Sequence, residues 1–317
     1  MEDSVVLATK IINSIDDLPL KLNFIFDLGN KISEYINADI TLSNELSLVK
    51  GLNLSADDFK LVHPNKIKNQ LIETFNNQMS IPLIPKFEDE NLYLLINLNG
   101  YISNWRETNT SFYVKNQFKS LLGLMISNDI LNFSYKKEMI FSSVYYIFKE
   151  KGILSQERLN DDFYKQVDRL ALNVGLSGII DSNRIKNTLD LSMKLFQDNE
   201  ECKKLRNAFC WLFDSYVGNN ELLSFVQATI TLEIVLGDKN ESDKVGIGVL
   251  LKNRCAYLLG KTSKERNKIM REFEEIYNIR SKIVHKGHPK LTNDEKKLLN
   301  NVINLAKRVI IKELELL

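Results

Sequence analysis

Apolar residues recur at intervals of three and four along most of the chain, which is the spacing of helices that bury one face. In the N-terminal half this pattern predicts helices over a stretch that ends near Ile15 and over residues 26–36, 114–131, 137–149 and 161–172. In the C-terminal half it predicts helices over 221–236, about 247–258, 262 to about 285, and from 292 onward. We therefore predict an all-α, mostly helical protein.

The segment near residues 81–98 departs from the helical pattern. The two prolines in Ile81–Pro85 push the residues before them out of helical geometry. Leu92–Leu98 is a short apolar run, and such runs occur both in strands and in buried helices. A small extended or β element near 81–98 is therefore consistent with the mainly helical fold.

A glycine-containing break divides the chain. Gly175–Gly178 interrupts the helical spacing, and the next helical unit follows it. We place the boundary near residue 185, which predicts a mainly helical N-terminal domain over 1–185 and a helical bundle over 186–317. No catalytic or binding motif is recognisable in the N-terminal domain. A sensor or regulatory role is one interpretation of it.

The predicted helix from residue 262 has the clearest end signals in the chain. Thr262 and Glu265 have the spacing of a capping box, in which the two residues satisfy each other's backbone N–H groups. Gly287 and Pro289 stop the helix near His285. A last helix begins in the same way with Thr292 and Glu295, and its broad apolar face predicts that it closes the bundle.

Arg280 occupies a core-facing position in the helix that Thr262 begins. The stripe to which it belongs has apolar side chains at Ile269, Phe273, Ile276 and Ile283. A charge on such a stripe needs partners, because burying it unpaired costs several kcal/mol or more. His285 follows five residues later, about 140° around a regular helix, so we expect the two side chains to converge only if the last turn loosens.

Three consecutive helices each place one charge on an apolar stripe. Glu233 lies among Leu222, Val226, Ile230 and Leu236, whereas Arg254 lies among Ile247, Leu250, Leu251 and Leu258. Two interpretations fit: Glu233 pairs with Arg254 or Arg280 purely as architecture, or the excess of two arginines over one glutamate binds a phosphate.

The run IYNIRSKIVHKG at 276–287 resembles the Arg-x4-His motif of the HEPN superfamily of helical ribonucleases, particularly the ApeA-like HEPN domains. Two upstream segments also resemble the ApeA-like HEPN domains in their order and spacing. They are Leu232-Glu233 on a hydrophobic helix and the run RCAYLLG at 254–260. The resemblance covers roughly residues 186–317.

This resemblance implies a metal-independent endoribonuclease that needs no cofactor. Arg280 would stabilise the charged phosphorane, and His285 would act as general acid or base, since histidine titrates near neutral pH. The 2′-hydroxyl of RNA would attack, which leaves a 2′,3′-cyclic phosphate and a 5′-hydroxyl and spares DNA. Ser281 stands where many HEPN ribonucleases have a larger polar residue, and it would hydrogen-bond a phosphate or orient His285.

The resemblance also implies partners. Glu233 and Arg254 would support the site, Lys282 and Lys286 would contact RNA, and two chains would form a homodimer with a composite active site. HEPN proteins often act in antiviral defence or as toxins, which suggests a phage-derived trigger or a regulatory partner. The alternative is a catalytically silent HEPN-fold dimerisation or RNA-binding module.

Composition and motif content limit the other functional classes to which the protein could belong. The 317 residues are 44% hydrophobic and 26% charged, with a net charge of +1 that predicts no particular partner. The three cysteines, at 202, 210 and 255, have neither metal-ligand spacing nor the even number of a disulfide framework. With no apolar run near the length of a membrane span, we expect a cytoplasmic protein. Phosphate-loop, nucleophile-elbow and metal-helix motifs are absent from the sequence.

Local charge adds modest support. Between residues 252 and 286 there are ten Lys or Arg against four Glu. This surplus would attract a phosphate backbone, although solvated helix faces explain it equally well.

Overall fold

The computed structural model describes residues 20–36, 38–52, 89–100, 109–134, 144–148, 153–156, 161–174, 181–237 and 246–317. The strands in these ranges are β1 (Leu20–Asp27), β2 (Ile40–Thr41), β3 (Leu46–Lys50), β4 (Leu92–Gly100), β5 (Leu131–Phe133), β6 (Val144–Phe148), β7 (Ile153–Gln156) and β8 (Leu170–Leu172). The helices are α1 (Asn30–Ser33), α2 (Asn109–Ser127), α3 (Asp161–Val167), α4 (Ser182–Leu195), α5 (Glu200–Val217), α6 (Glu221–Leu236), α7 (Ile247–Leu259), α8 (Ser263–Lys286) and α9 (Asn293–Leu316).

The described N-terminal part contains a sheet. Six strands pair in the order β2-β3-β4-β1-β6-β7, and every neighbouring pair is antiparallel. β1 and β4 pair along their whole shared length, from Leu20 opposite Gly100 to Asp27 opposite Tyr93. β5 and β8 form a separate antiparallel pair. The fold is therefore a mostly helical α/β mixture.

The prediction of an all-α protein is wrong for this part of the chain. A helix was predicted over 26–36, but Phe26 and Asp27 end strand β1 and the helix there covers only Asn30–Ser33. Within the helix predicted over 137–149, residues 144–148 form β6. The sequence VYYIF of this strand is rich in β-branched and aromatic residues, which favour strands.

Other N-terminal predictions have a mixed outcome. The extended element near 81–98 is confirmed by β4, while residues 81–88 and the helix that ends near Ile15 lie outside the described residues. The helix over 114–131 is confirmed as α2, with shifted ends. The stretch 161–172 divides into α3 and the strand β8.

A row of phenylalanine rings joins the sheet to the helices. The rings of Phe26 of β1 and Phe118 of α2 are tilted by 35°, with centroids 4.1 Å apart, and Phe118 contacts Phe163 of α3 at 5.9 Å. Phe163 then meets Phe213 of α5 at 6.1 Å. Such aromatic pairs stabilise the fold by more than the burial of the ring surfaces alone. The sheet and the helices therefore share one continuous hydrophobic core.

Helices α5 to α9 form the C-terminal bundle. α5 packs against α2, α6 and α9, while α6 also contacts α7 and α8. α7 and α8 form a hairpin through a short connection at residues 260–262, and α8 has fewer contacts with α9. None of the helices described above combines the length and the apolar character that crossing a membrane requires.

Gly123 of α2 lies directly against the backbone of α5. A Cβ atom at this position would lie 2.5 Å from the carbonyl oxygen of Phe209, and backbone cannot move aside as a flexible side chain can. We expect Gly123→Ala to lower the free energy of unfolding by about 1–3 kcal/mol, which is typical of overpacking. Urea unfolding measures this loss.

Gly248→Ala is the matched control for Gly123→Ala. Its Cβ would only reach ordinary contact distance, 3.5 Å from the ring of Tyr277. Because alanine favours a helix over glycine, we expect equal or slightly higher stability for this variant. Equal stability of the two variants would refute the tight α2–α5 contact.

Candidate functional site

Helix α8 has the ends that its sequence predicts. Thr262 Oγ1 accepts a hydrogen bond from the backbone N–H of Glu265 at 3.2 Å, and Glu265 Oε2 accepts one from the N–H of Thr262 at 3.1 Å. At the other end, Gly287 adopts the left-handed conformation, with φ 60° and ψ 43°. The predicted capping box and glycine stop are both confirmed, and α8 ends one residue after His285.

The predicted core stripe of α8 is confirmed in its first three members. Ile269, Phe273 and Ile276 are buried, but the next buried residue is Ile279, which was not predicted. Arg280 lies at the edge of this stripe, and its side chain is 22% exposed. The side chain is thus mostly buried, but part of it is open to solvent.

Glu233 of α6 is the charge partner of Arg280. Its Oε1 atom lies 3.3 Å from Arg280 Nε, and both side chains are about three-quarters buried. The distance is that of an ion pair, although the buried Nε–H makes no hydrogen bond within the described part of the chain. Coulomb attraction to Glu233 therefore holds the guanidinium on its Nε side.

Tyr277 completes this contact and was missed as a site residue. Its hydroxyl donates a hydrogen bond to Glu233 Oε1 at 3.0 Å, and its ring centre lies 5.9 Å from the Arg280 guanidinium carbon. Burial and then the Glu233 carboxylate raise the pKa of Tyr277 to about 12, so the hydroxyl remains a donor at neutral pH. Its position three residues before Arg280 was the available signal, since such residues share a helix face.

His285 is also close to Arg280. Arg280 Nη1 lies 3.5 Å from His285 Nε2, and because arginine only donates, the histidine nitrogen is the acceptor. The helix is unbroken through Lys286, so the expectation that the last turn must loosen is wrong. The length of the Arg280 side chain spans the angle between the two positions, and His285 itself is exposed.

The inward faces predicted for α6 and α7 are partly wrong. In α6, Leu222, Val226 and Ile230 are only half-buried, and the core contacts come instead from Phe225, Ala228, Leu232 and Val235, together with the predicted Leu236. In α7, Leu250 and Leu251 are buried as predicted, but Ile247 is 45% exposed. Both helices are apolar on several faces, so spacing alone could not identify the buried one.

Arg254 supports the site through the backbone. Its Nη1 atom donates to the carbonyl oxygen of Leu236 at 2.9 Å, at the C-terminal end of α6. A cation there satisfies a carbonyl that has no partner within the helix. Arg254 therefore holds the helix end that carries Glu233, three residues before that carbonyl.

The other predicted site residues lie around His285. Ser281 is half-buried one helical turn before it, and its hydroxyl makes no hydrogen bond in the described structure. Lys282 was predicted to contact RNA. Its Nζ atom lies 3.7 Å from Glu295 Oε1 of α9, so it already has a carboxylate partner within the protein. Lys286 is exposed at the end of α8.

Glu295 fixes the segment that follows α8. Its Oε2 atom accepts hydrogen bonds from the Thr292 backbone N–H at 2.8 Å and from His288 Nε2 at 2.9 Å. The Thr292–Glu295 capping box is thus confirmed, and His288 is a structural contact rather than a free loop histidine. The backbone N–H of Thr292 and then His288 lower the pKa of Glu295 to about 2.

Within the described ranges, no group of three or more His, Cys, Asp or Glu side chains is arranged to hold a metal ion. Comparisons with protein-family models, with curated proteins and with solved structures find no match to this chain. The resemblance of residues 276–287 to the HEPN motif therefore stays a prediction.

The Glu295 network predicts a loss of stability in acid. Because the folded state lowers the pKa of Glu295, its contribution is full above the unfolded value, near 4.3, and is lost as pH falls towards about 2. We expect wild type to be more stable than Glu295→Gln at pH 7, and this difference to shrink between about pH 5 and pH 3. Thermal unfolding at stepwise pH measures it.

Glu201→Gln is the control for the acid series, since Glu201 is exposed in the first turn of α5. Its stability difference from wild type should change less over the same range. A Glu295→Gln difference that stayed constant from pH 7 to pH 3 would show that the carboxylate contributes no charge-dependent stability.

Proposed function

We propose that the chain is an endoribonuclease of the HEPN type that cleaves RNA without a metal ion. The observation that carries this proposal is the 3.5 Å approach of Arg280 Nη1 to His285 Nε2 at a solvent-exposed helix end. One group suited to proton transfer and one suited to phosphate charge therefore lie within reach of a single phosphodiester. The motif run at 276–287 supports the same assignment.

RNA supplies its own nucleophile in this reaction. The 2′-hydroxyl attacks the adjacent phosphorus atom as the bond from phosphorus to the 5′-oxygen breaks, which gives a 2′,3′-cyclic phosphate and a 5′-hydroxyl. His285 either takes the proton from the 2′-hydroxyl or gives one to the departing 5′-oxygen. A second copy of His285 in a homodimer would perform the complementary transfer, so that both protons are accounted for.

Arg280 stabilises the charge that develops on the phosphorane. Its donors form a planar fork that matches phosphate oxygens, and a donor that is already oriented needs no rearrangement in the transition state. Glu233 and Tyr277 position it from the protein side. Glu233 also neutralises part of its charge, so the arginine is held in place without a bound anion.

The proposed biological role is antiviral defence or toxicity in the cytoplasm, with a homodimer as the active form. Residues 1–185 would restrain the nuclease or sense a signal, and a phage-derived trigger or regulatory partner would release the nuclease. These assignments follow the HEPN resemblance.

A catalytically silent dimerisation or RNA-binding module is the second candidate. The specific observation in its favour is that Glu233 already compensates the charge of Arg280. In that case the ion pair serves packing alone, as buried pairs can.

Replacing His285 separates the two candidates. Wild type and His285→Ala are incubated with total RNA in EDTA, and the new ends are mapped. We expect wild type to produce cyclic-phosphate ends and His285→Ala to cleave about 10²–10⁴-fold more slowly, which is typical for loss of a general acid or base. His288→Ala, which removes a neighbouring histidine, should keep the activity. Intact RNA with every variant would favour the silent module or mean that the proposed trigger is missing.

Replacing Arg280 tests whether its charge is catalytic or architectural. We expect Arg280→Gln to slow cleavage about 10²–10³-fold, which is typical for loss of one donor to a developing anion, while thermal unfolding remains cooperative. In this variant Glu233 stays partly accessible to water and keeps its hydrogen bond to Tyr277. The measurement pairs cleavage rate with melting temperature. A variant that fails to fold would support the architectural role.

A further inference from the structure

An open cleft lies beside α8, at the end of the helix far from His285. It has a volume of about 1060 Å³ and is lined by Lys264, Lys268, Arg271, Glu275 and Asn301, among others. Asn301 belongs to α9, so the cleft opens where α8 and α9 have few contacts. A smaller cavity of about 360 Å³ adjoins it and adds Lys261 and Arg308.

The cleft and His285 lie along one exposed face of α8. Residues 264, 268, 271, 275, 278, 282 and 285 are spaced alternately four and three apart, so they form one row along the helix. Every one of these side chains is exposed. At about 1.5 Å per residue the row is about 31 Å long, which is the length of an extended ligand rather than of one small molecule.

The row is basic. Its members, with Lys286 beside the last of them, are Lys264, Lys268, Arg271, Glu275, Asn278, Lys282, His285 and Lys286. Five are cations and one is an anion. In the described part of the structure, the three cations in the cleft make no ion pair with a carboxylate. Exposed cations that are not paired within the protein can replace counterions along a phosphate backbone.

Carboxylates in the cleft set a limit on this attraction. Glu265 is already bound, because its carboxylate accepts hydrogen bonds from two backbone N–H groups at the start of α8. Glu272 and Glu275 also line the cleft, and Glu272 lines the adjoining cavity together with Lys261 and Arg308. The attraction is therefore of moderate strength and depends on the row as a whole.

We propose that this row, from the cleft to His285, is the track along which one strand of substrate RNA binds. The inference rests on the proposed function, which supplies the reacting phosphate at the Arg280–His285 end. A single row of cations along one helix follows one phosphate backbone, so the substrate is single-stranded and extends well to one side of the scissile bond. The exposed amides of Asn278 and Asn301 can bond to ribose or base edges.

Binding is tested on the inactive His285→Ala protein, so that RNA stays intact. The change is Lys264→Gln, Lys268→Gln and Arg271→Gln together, and the probe is a labelled single-stranded RNA of about 16 nucleotides, the upper end of typical site sizes. Each phosphate contact to single strands contributes about 0.7 to the salt dependence of affinity. We expect the slope of log K against log salt to become less steep by about 2, with affinity roughly tenfold to hundredfold lower at 0.1 M salt.

A control variant carries the same change in charge elsewhere. Lys203, Lys297 and Lys312 are helix residues whose side chains are at least 45% exposed, each with a carboxylate within 3.1 Å, and they are replaced by Gln together. We expect the salt slope of this variant to stay at the His285→Ala value. Equal losses in both triple variants would mean a diffuse charge effect and would overturn the track.

Cleavage kinetics test the proposed RNA track separately from the proposed nuclease activity. With His285 intact, the cleft variant should raise KM for long RNA, leave kcat nearly unchanged, and cleave a dinucleotide as wild type does, because a dinucleotide cannot reach the cleft. Unchanged binding and KM in the cleft variant would overturn the track while the nuclease stands. Reduced binding without any cleavage by wild type would support the track but not the nuclease, and no RNA binding at all would reject the track.

Discussion

The carboxylate of Glu233 is the contact on which the geometry of the candidate site depends. It accepts the hydroxyl of Tyr277 and faces the guanidinium of Arg280 with the same oxygen atom. Without it, a cation at the edge of an apolar stripe would be partly desolvated and unpaired. The pair lies between exposed pairs, which contribute under about 1 kcal/mol, and fully buried ones, whose breakage costs about 3–5 kcal/mol. Its main effect is therefore orientation, since it directs the free end of Arg280 towards His285.

The parts of the site that sequence could predict are those with local causes. The capping boxes at Thr262 and Thr292 and the left-handed Gly287 follow from residue type and spacing within a few positions, and all three occur in the structure. The need of Arg280 for a partner also followed from its place on an apolar stripe. Glu233 was among the residues named for that role, and it lies 3.3 Å away.

The parts that could not be predicted depend on contacts distant in the chain. In β1, Leu20, Leu22, Phe24 and Phe26 alternate with other residues, a period typical of a strand, but its partner β4 begins 65 residues after Asp27. The buried faces of α6 and α7 are set by neighbours on several sides, which periodicity along one helix does not record. For the same reason, the backbone contact of Arg254 with Leu236 required the packed structure.

The central claim is that Glu233 acts on catalysis through Arg280, and a double-mutant cycle on the cleavage rate tests it most directly. The rates of wild type, Glu233→Gln, Arg280→Ala and the double variant are compared on one RNA substrate. We expect Glu233→Gln to slow cleavage in the wild-type background but to cause no further loss in the Arg280→Ala background. Losses that simply add, or a Glu233→Gln protein as active as wild type, would contradict it.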